Sequence, residues 1–419
     1  MKQAISLFSS SGIGELGIKN HNIEIIVANE LNKDRSQLYT NNFPETEMVQ
    51  GSIWEKKDEI ISKTKAKLNK TNDELFLVYA TPPCQGMSTN GAGKLKSEIA
   101  AGRRPKIDER NLLIIPAVDI INELRPEWVI FENVPAMKDT IIPTPKGVMN
   151  VIEYVAKSLG ADYSYSSEII SCSDFGIAQL RKRLITIFTR NKKGKEYLSN
   201  NNNSFFYAIP KLPPKSIEEV LKGIPKLDAK EGKNKRIDFH PHHYVNIMKE
   251  DKYWWIENTP IGETAFNNQC VNSECNFSDN PRHFEHLENG KWVSAKNIPI
   301  NCMKCGSLLP RPSIIDKSTG KRRMIKGFHS AYRRMDPKKP SRAITINYPY
   351  EASDNKVHPY ENRVLSTYEV MKIQTITDFE YNWHLGHKPA SRALIAQSIG
   401  ESVPPKLLNL ITQKILEQS

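Results

Sequence analysis

One thiol sits in a stiff turn, Thr81-Pro82-Pro83-Cys84-Gln85-Gly86, directly after the apolar run Leu75–Ala80. A cysteine there becomes a nucleophile when a helix N-terminus or an arginine lowers its pKa; otherwise it is an inert turn residue. Glu132, in Glu132-Asn133-Val134, ends a second apolar run, Trp128–Phe131, and would share a rim with Cys84, or else be a solvated or helix-capping acid. Gln179-Leu180-Arg181-Lys182-Arg183 leads into a third run, Leu184–Phe188. Strand alternation puts Gln179, Arg181 and Arg183 on one face, which suits a buried anion or polar base, or a solvated edge. Gly12-Ile13-Gly14-Glu15-Leu16-Gly17 fits GxGxxG between a strand and an expected helix, whose free N–H groups would face an anionic group. Glu30 closes the next run, where an acid can hold ribose hydroxyls. This pattern suits an adenosine-containing cofactor and does not separate a nicotinamide dinucleotide from S-adenosylmethionine.

Four of the six cysteines cluster. Cys270-x4-Cys275 and Cys302-x2-Cys305-Gly306 lie 26 residues apart, the spacing of a four-thiolate structural zinc site. Four free thiols is the alternative, and His283 and His286 are spare ligand candidates. Zinc would hold together a region with little apparent core.

The elements that must position these residues read as alternating strands and helices over residues 1–190. The runs Ala4–Phe8, Ile23–Ala28, Leu75–Ala80 and Trp128–Phe131 each stop at a polar or proline-rich turn, and Asn111–Leu124 is helix-like. Such alternation predicts βαβ units and a mostly parallel sheet, with ligands beyond the carboxyl ends of the strands. After Arg190 come a polar loop, Ser199–Ser204, and an irregular stretch to residue 326, read as a second, smaller domain. Residues 327–419 regain helix and strand patterns at Ala343–Ile346, Tyr368–Ile373 and Lys406–Leu416 and complete the first domain.

The 419 residues include 59 basic and 47 acidic side chains, a net +12, which favours an anionic partner such as nucleic acid over a merely basic surface. No run approaches a membrane span, the N-terminus lacks a signal-peptide core, and six cysteines are too few for a disulfide scaffold. The expectation is a soluble cytoplasmic protein.

In order, SLFSSSGIG, ATPPCQG, FENV, QLRKR and SIGESVPPKLL resemble the motif series of the DNA cytosine-5 methyltransferases. Asn29-Glu30, Asp108-Glu109-Arg110-Asn111-Leu112, Asp174-Phe175-Gly176, Arg333 to Thr345 and His358 to Glu369 agree with it. The resemblance spans roughly 1–190 and 327–419, and the stretch between Arg183 and Arg333 stands where the family carries its target-recognition domain.

It implies a Rossmann-like α/β methyltransferase sheet with a smaller, irregular target-recognition domain. It implies Cys84 as the nucleophile toward C6 of a flipped cytosine, Glu132 as the acid at N3, and Arg183 with Arg181 as holders of the ring. S-adenosylmethionine would be held by Phe8, Ser10, Gly12, Gly14, Glu30, Ser52 and Pro83. The partners implied are double-stranded DNA and a cognate restriction endonuclease, with the enzyme a monomer. Lys233, Lys235, Arg236, His240, His242, His243, Arg322 and Arg323 could contact phosphates and bases.

Ser10, Ile13, Ser52, Ala178 and Glu401 depart from the residues usual in these motifs and bear on cofactor affinity more than on the reaction. An RNA cytosine-5 methyltransferase and a catalytically silent DNA-binding homologue remain open. A nicotinamide oxidoreductase would leave the PPCQ, ENV and QxRxR segments unexplained.

Overall fold

A computed structural model describes residues 1–83, 109–145, 147–288, 291–294, 298–325, 330–353 and 355–419; Cys84 and Asp108 lie outside these residues. Seven strands form the central sheet: β1 (Lys2–Leu7), β2 (Ile23–Glu30), β3 (Glu47–Gln50), β4 (Leu77–Ala80), β5 (Trp128–Asn133), β6 (Ser164–Ser171) and β7 (Lys182–Thr189). Their order is β3-β2-β1-β4-β5-β7-β6. Strands β1 to β5 pair in parallel, whereas β7 runs antiparallel to both β5 and β6. The expected α/β sheet is therefore present, and its strand order reverses between β1 and β4, where such sheets open a ligand crevice.

Burial on both faces explains the apolar runs. In β4, Val78 and Ala80 pack with α3 (Ile53–Thr71) and α4 (Ile114–Leu124), while Leu77 and Tyr79 face the opposite core. That second core is closed by the end of the chain: Leu407, Leu408, Ile411 and Ile415 of the helix Pro405–Glu417 pack with Ile25, Ile130 and Ile187. It also takes in Tyr197, Leu198, Phe205 and Ile209, so sheet packing continues past residue 190. A third core joins Ile13 and Leu38 to Ile344, Val370, Ile395 and Ile399 of the C-terminal segment.

The helix expected at GxGxxG is present as a single turn, α1 (Leu16–Lys19), and the C-terminal helix lies across it. Gly17 serves that crossing: a Cβ there would stand 2.2 Å from the Pro405 carbonyl oxygen and 2.5 Å from the Asn409 nitrogen. Ala343–Ile346 is not a strand. Ser341–Arg342 pairs with Gln179–Leu180, and then the Ile344 N–H donates to the Gln179 side chain, leaving no ladder to continue.

The irregular lobe is bolted on by Arg334, one of the motif arginines. All five of its N–H groups have acceptors. Thr259 and Ile256 carbonyls lie on one side, and the His358 and Glu361 carbonyls with the Asn362 side chain on the other.

Gly17→Ala should lower stability by about 1–3 kcal/mol, because the new methyl meets backbone rather than a yielding side chain. Urea unfolding checks this, and an unchanged midpoint would contradict the close crossing.

Candidate active site and four-cysteine cluster

The loops at the carboxyl ends of β1, β2, β4 and β5 are stitched into one rim. Ser9 donates both its N–H and its hydroxyl to the Asn29 carbonyl. Thr81 donates its hydroxyl to the Phe8 carbonyl at 2.9 Å, and Asn133 donates its side-chain amide to the Pro82 carbonyl at 2.9 Å. The SLFSSSG, TPPC and FENV segments are thus tied side by side. Pro83, half-buried, is the last described residue before Cys84.

Glu132 and Arg183 meet through strand register. Glu132 of β5 lies opposite Ile185 of β7, and Arg183 is two residues along β7, so the two side chains are diagonal neighbours on one face. Arg183 Nε lies 2.6 Å from Glu132 Oε1, with side chains 14% and 9% exposed. The contact is an ion pair whose angles fall short of an in-line hydrogen bond, so among the described residues this buried Oε1 has no hydrogen-bond donor. A carboxylate so placed retains capacity toward a third group.

Arg181 and Gln179 share that segment but are otherwise engaged. Arg181 is fully buried, with its two Nη atoms donating to the carbonyls of Ile344, Gly400 and Glu401 at 2.9–3.2 Å. Burial pushes its pKa down to about 9. Gln179 donates to Gln374 and accepts from Ile344. Both hold the C-terminal segment against the sheet, and the Nε of Arg181 is left without a partner among the described residues.

Of the groups expected around the cofactor, Phe8, Ser10 and Gly12 lie with Glu30 at the β1–β2 rim, while Ser52 follows β3 and Pro83 follows β4. Glu30 accepts from the Ser10 N–H at 2.9 Å and the Asn32 N–H at 2.8 Å, and burial raises its carboxyl pKa. Phe8 and Ser10 adopt positive φ, 60° and 49°, which is unusual for residues with a Cβ. The backbone N–H of Ser10 is held there by its bond to Glu30, a bond that any residue at this position could make. Gly12, at φ 80°, sits where a Cβ would press within 2.6 Å of the Phe43 ring. The hydroxyls of Ser10 and Ser11 are buried without partners among the described residues. A strand-end acid beside a loop of unpaired hydroxyls fits the ribose and amino-acid ends of an adenosyl cofactor.

Of the other departures, Ile13 packs in the third core, whereas Ser52 stands at the N-cap of α3 without a side-chain capping bond. Glu401 forms an ion pair with Arg35 at 2.8 Å, and Gly400 before it has no room for a Cβ beside Ile346.

Glu15 lies inside the glycine motif, and no sequence signal singles it out. It is fully buried, accepts from the Ser6 hydroxyl at 2.6 Å, and burial raises its pKa to about 7. What marks it is its burial, and that is a three-dimensional fact.

Remote from this rim, the four cysteines converge. Their Sγ atoms all lie within 4.8 Å of one another, with Cys270–Cys305 at 3.7 Å and Cys275–Cys302 at 3.8 Å. Zn–S bonds of about 2.3 Å in a tetrahedron give S···S edges of about 3.8 Å, whereas a disulfide needs about 2.05 Å. Each pair ends on a positive-φ residue, Asn276 at 46° and Gly306 at 74°. The Asn280 amide points at Cys302 Sγ from 3.7 Å. His283 packs on Phe266 instead, and the side chain of His286 lies outside the described residues.

Among the basic candidates, His243 is corrected. It is fully buried between the Ser366 hydroxyl and the Pro225 carbonyl and cannot reach DNA.

Residues 2–417 match the family model for C-5 cytosine-specific DNA methylase. The chain belongs to that family. It is 30% identical over 428 residues to the type II methyltransferase M1.HgaI of Avibacterium volantium, covering 99% of this chain and 98% of the relative. The type II methyltransferase M1.HphI of Haemophilus parahaemolyticus is 23% identical over 419 residues, at 99% and 87% coverage. Among solved structures, the fold resembles a candidate DNA modification methyltransferase encoded within an E. coli prophage, with TM-score 0.60, 16% identity, and 100% and 99% coverage. It also resembles the Entamoeba histolytica methyltransferase EhMeth, with TM-score 0.54, 15% identity, and 100% and 98% coverage. Among the described residues, no helix is long and apolar enough to cross a membrane.

Glu15 carries a pH prediction. Its folded pKa is raised above its ordinary 4.5, so its favourable contribution is complete below pH 4.5 and is lost as pH rises through about 7. Glu15→Gln should therefore gain stability over the parent above pH 7, by up to ~3 kcal/mol, and gain little at pH 4.5. Equal gains in denaturant melts at both pH values would contradict an ionisable buried carboxyl.

Proposed function

We propose that the protein is an S-adenosylmethionine-dependent DNA cytosine-5 methyltransferase acting at a specific sequence, in a restriction–modification setting. The observation that carries this reading is the buried Glu132–Arg183 pair at the end of β5, bonded through Asn133 to the loop that leads into Cys84. A cytosine ring is a poor electrophile and cannot be reached inside a duplex, so it must be flipped out. Arg183 holds the ring oxygen and steadies the Glu132 carboxyl, which binds N3. The Cys84 sulfur then bonds to C6, and the displaced electron pair makes C5 nucleophilic. S-adenosylmethionine supplies the sulfonium methyl that C5 takes. Loss of the C5 proton to a base returns the electron pair, breaks the C6–S bond and frees Cys84.

Glu30, with the Phe8–Gly14 loop, Ser52 and Pro83, holds the cofactor. Arg181 acts as a positioning residue, because its donors are committed to the segment that closes the cofactor side. The stretch 191–326, whose first residues as far as Ile209 still pack on the sheet, carries the target-recognition domain, within which Cys270, Cys275, Cys302 and Cys305 bind one structural zinc. The type II relatives support a cognate endonuclease as partner, with the methyltransferase acting as a cytoplasmic monomer.

Cys84→Ser should keep S-adenosylhomocysteine and DNA binding while losing turnover, since an alcohol is far less ionised than a thiol near neutral pH. Glu132→Gln should lose about 10²–10⁴-fold in rate. Normal methyl transfer to DNA by Cys84→Ser would overturn the nucleophile assignment. For the cluster, metal analysis of purified protein should find one zinc per chain, and a content far below one would defeat the four-thiolate site.

A further inference from the structure

Between the last cysteine and Ile325 the chain forms a small antiparallel ribbon, Ser313–Ile315 with Arg322–Met324, joined by the turn Asp316–Lys321. Its root is rigid. Arg311, fully buried, donates to the carbonyls of Asn268, Pro281 and Pro299, and the Asn268 amide donates to the Pro310 carbonyl. Leu309 packs against Cys270 and Cys302. The root is therefore fastened to both cysteine loops.

Its outer end is the opposite. Ile314, Ile315, Lys317 and the run to Arg323 are exposed. Asp316 orders the turn through Ser318, Gly320 and Lys321 and holds Arg323 at 2.8 Å, so the ribbon keeps its shape without cover. The ribbon thus combines a buried arginine root with two exposed isoleucines beside its basic turn.

We propose that this ribbon enters the major groove of duplex DNA, with Lys317, Lys321 and Arg322 as its phosphate and base contacts and Ile314 and Ile315 as its apolar ones. The inference rests on the reading of the chain as a DNA-modifying enzyme and identifies the element that selects the site. The dimensions agree, because the major groove of B-form DNA admits a two-stranded β-ribbon and offers thymine methyls to apolar side chains. Charge agrees as well: residues 191–326 hold 23 basic and 15 acidic side chains, eight of the chain's surplus of twelve. Duplex RNA fits poorly, since side chains cannot read its deep, narrow major groove.

The test compares the full-length protein with its K317A/K321A/R322A variant. Fluorescence anisotropy with duplex DNA over a salt series reads affinity, and calorimetry with S-adenosylhomocysteine reads the integrity of the other lobe. The variant should bind S-adenosylhomocysteine like the parent. It should bind DNA at least ~30-fold more weakly at low salt, with a log–log salt slope shallower by about 0.9 for each phosphate that is no longer neutralised. Should the triple variant misfold, the single variants K317A and K321A, both at the exposed turn, should each still make the slope shallower.

Unchanged affinity and slope in a variant of a parent that binds and methylates DNA would overturn the ribbon alone. A parent that does not bind duplex DNA would overturn the ribbon together with the functional reading. Equal affinity of the parent for duplex RNA of the same sequence would also count against the ribbon.

Discussion

Everything at the rim depends on one reversal of strand direction. Because β7 runs antiparallel to β5, the residue before its apolar stretch, Arg183, arrives at the end of β5 where Glu132 stands. A parallel strand would have delivered its carboxyl end there and carried the arginine to the far side of the sheet. The pair is nearly buried, and removing one partner of such a pair leaves an uncompensated charge costing about 3–5 kcal/mol. That cost fixes the register of β5 and β7, and with it the position of the loop that Asn133 holds.

A second constraint is that the chain must return to its beginning. The helix Pro405–Glu417 covers one face of the sheet and crosses α1 at Gly17, while Gln179 and Arg181 fasten residues 344, 374, 400 and 401 beside the rim. The glycine spacing near the N-terminus is thus partly a packing requirement. Glu401 and Arg35 join the returning segment to α2 (Lys33–Asn42), next to Glu30. The Glu132–Arg183 end and the Glu30 end of the rim are therefore linked through Arg181 by its bonds to the Gly400 and Glu401 carbonyls.

Much of this is legible in the sequence because the signals are local. Apolar runs ending in turns mark β1, β2, β4, β5 and β7, and the cysteine spacing marks a cluster that the fold brings together. What stays hidden depends on distant partners. The role of Arg181 cannot be separated from that of Arg183 two residues on, since only packing decides which guanidinium meets carbonyls and which meets a carboxylate. In sequence His243 resembles its neighbours, and only the fold brings to it Ser366, more than a hundred residues away. Gly17 likewise acquires its meaning from Pro405, and Glu15 from the apolar surroundings that close over it.

The central claim is cytosine-5 methylation of DNA by this rim. It is tested most directly by incubating the purified protein and S-adenosylmethionine with unmethylated plasmid DNA, then mapping 5-methylcytosine at base resolution. The account predicts modification at one short recurring sequence. DNA free of 5-methylcytosine, from protein that binds both cofactor and duplex, would contradict it.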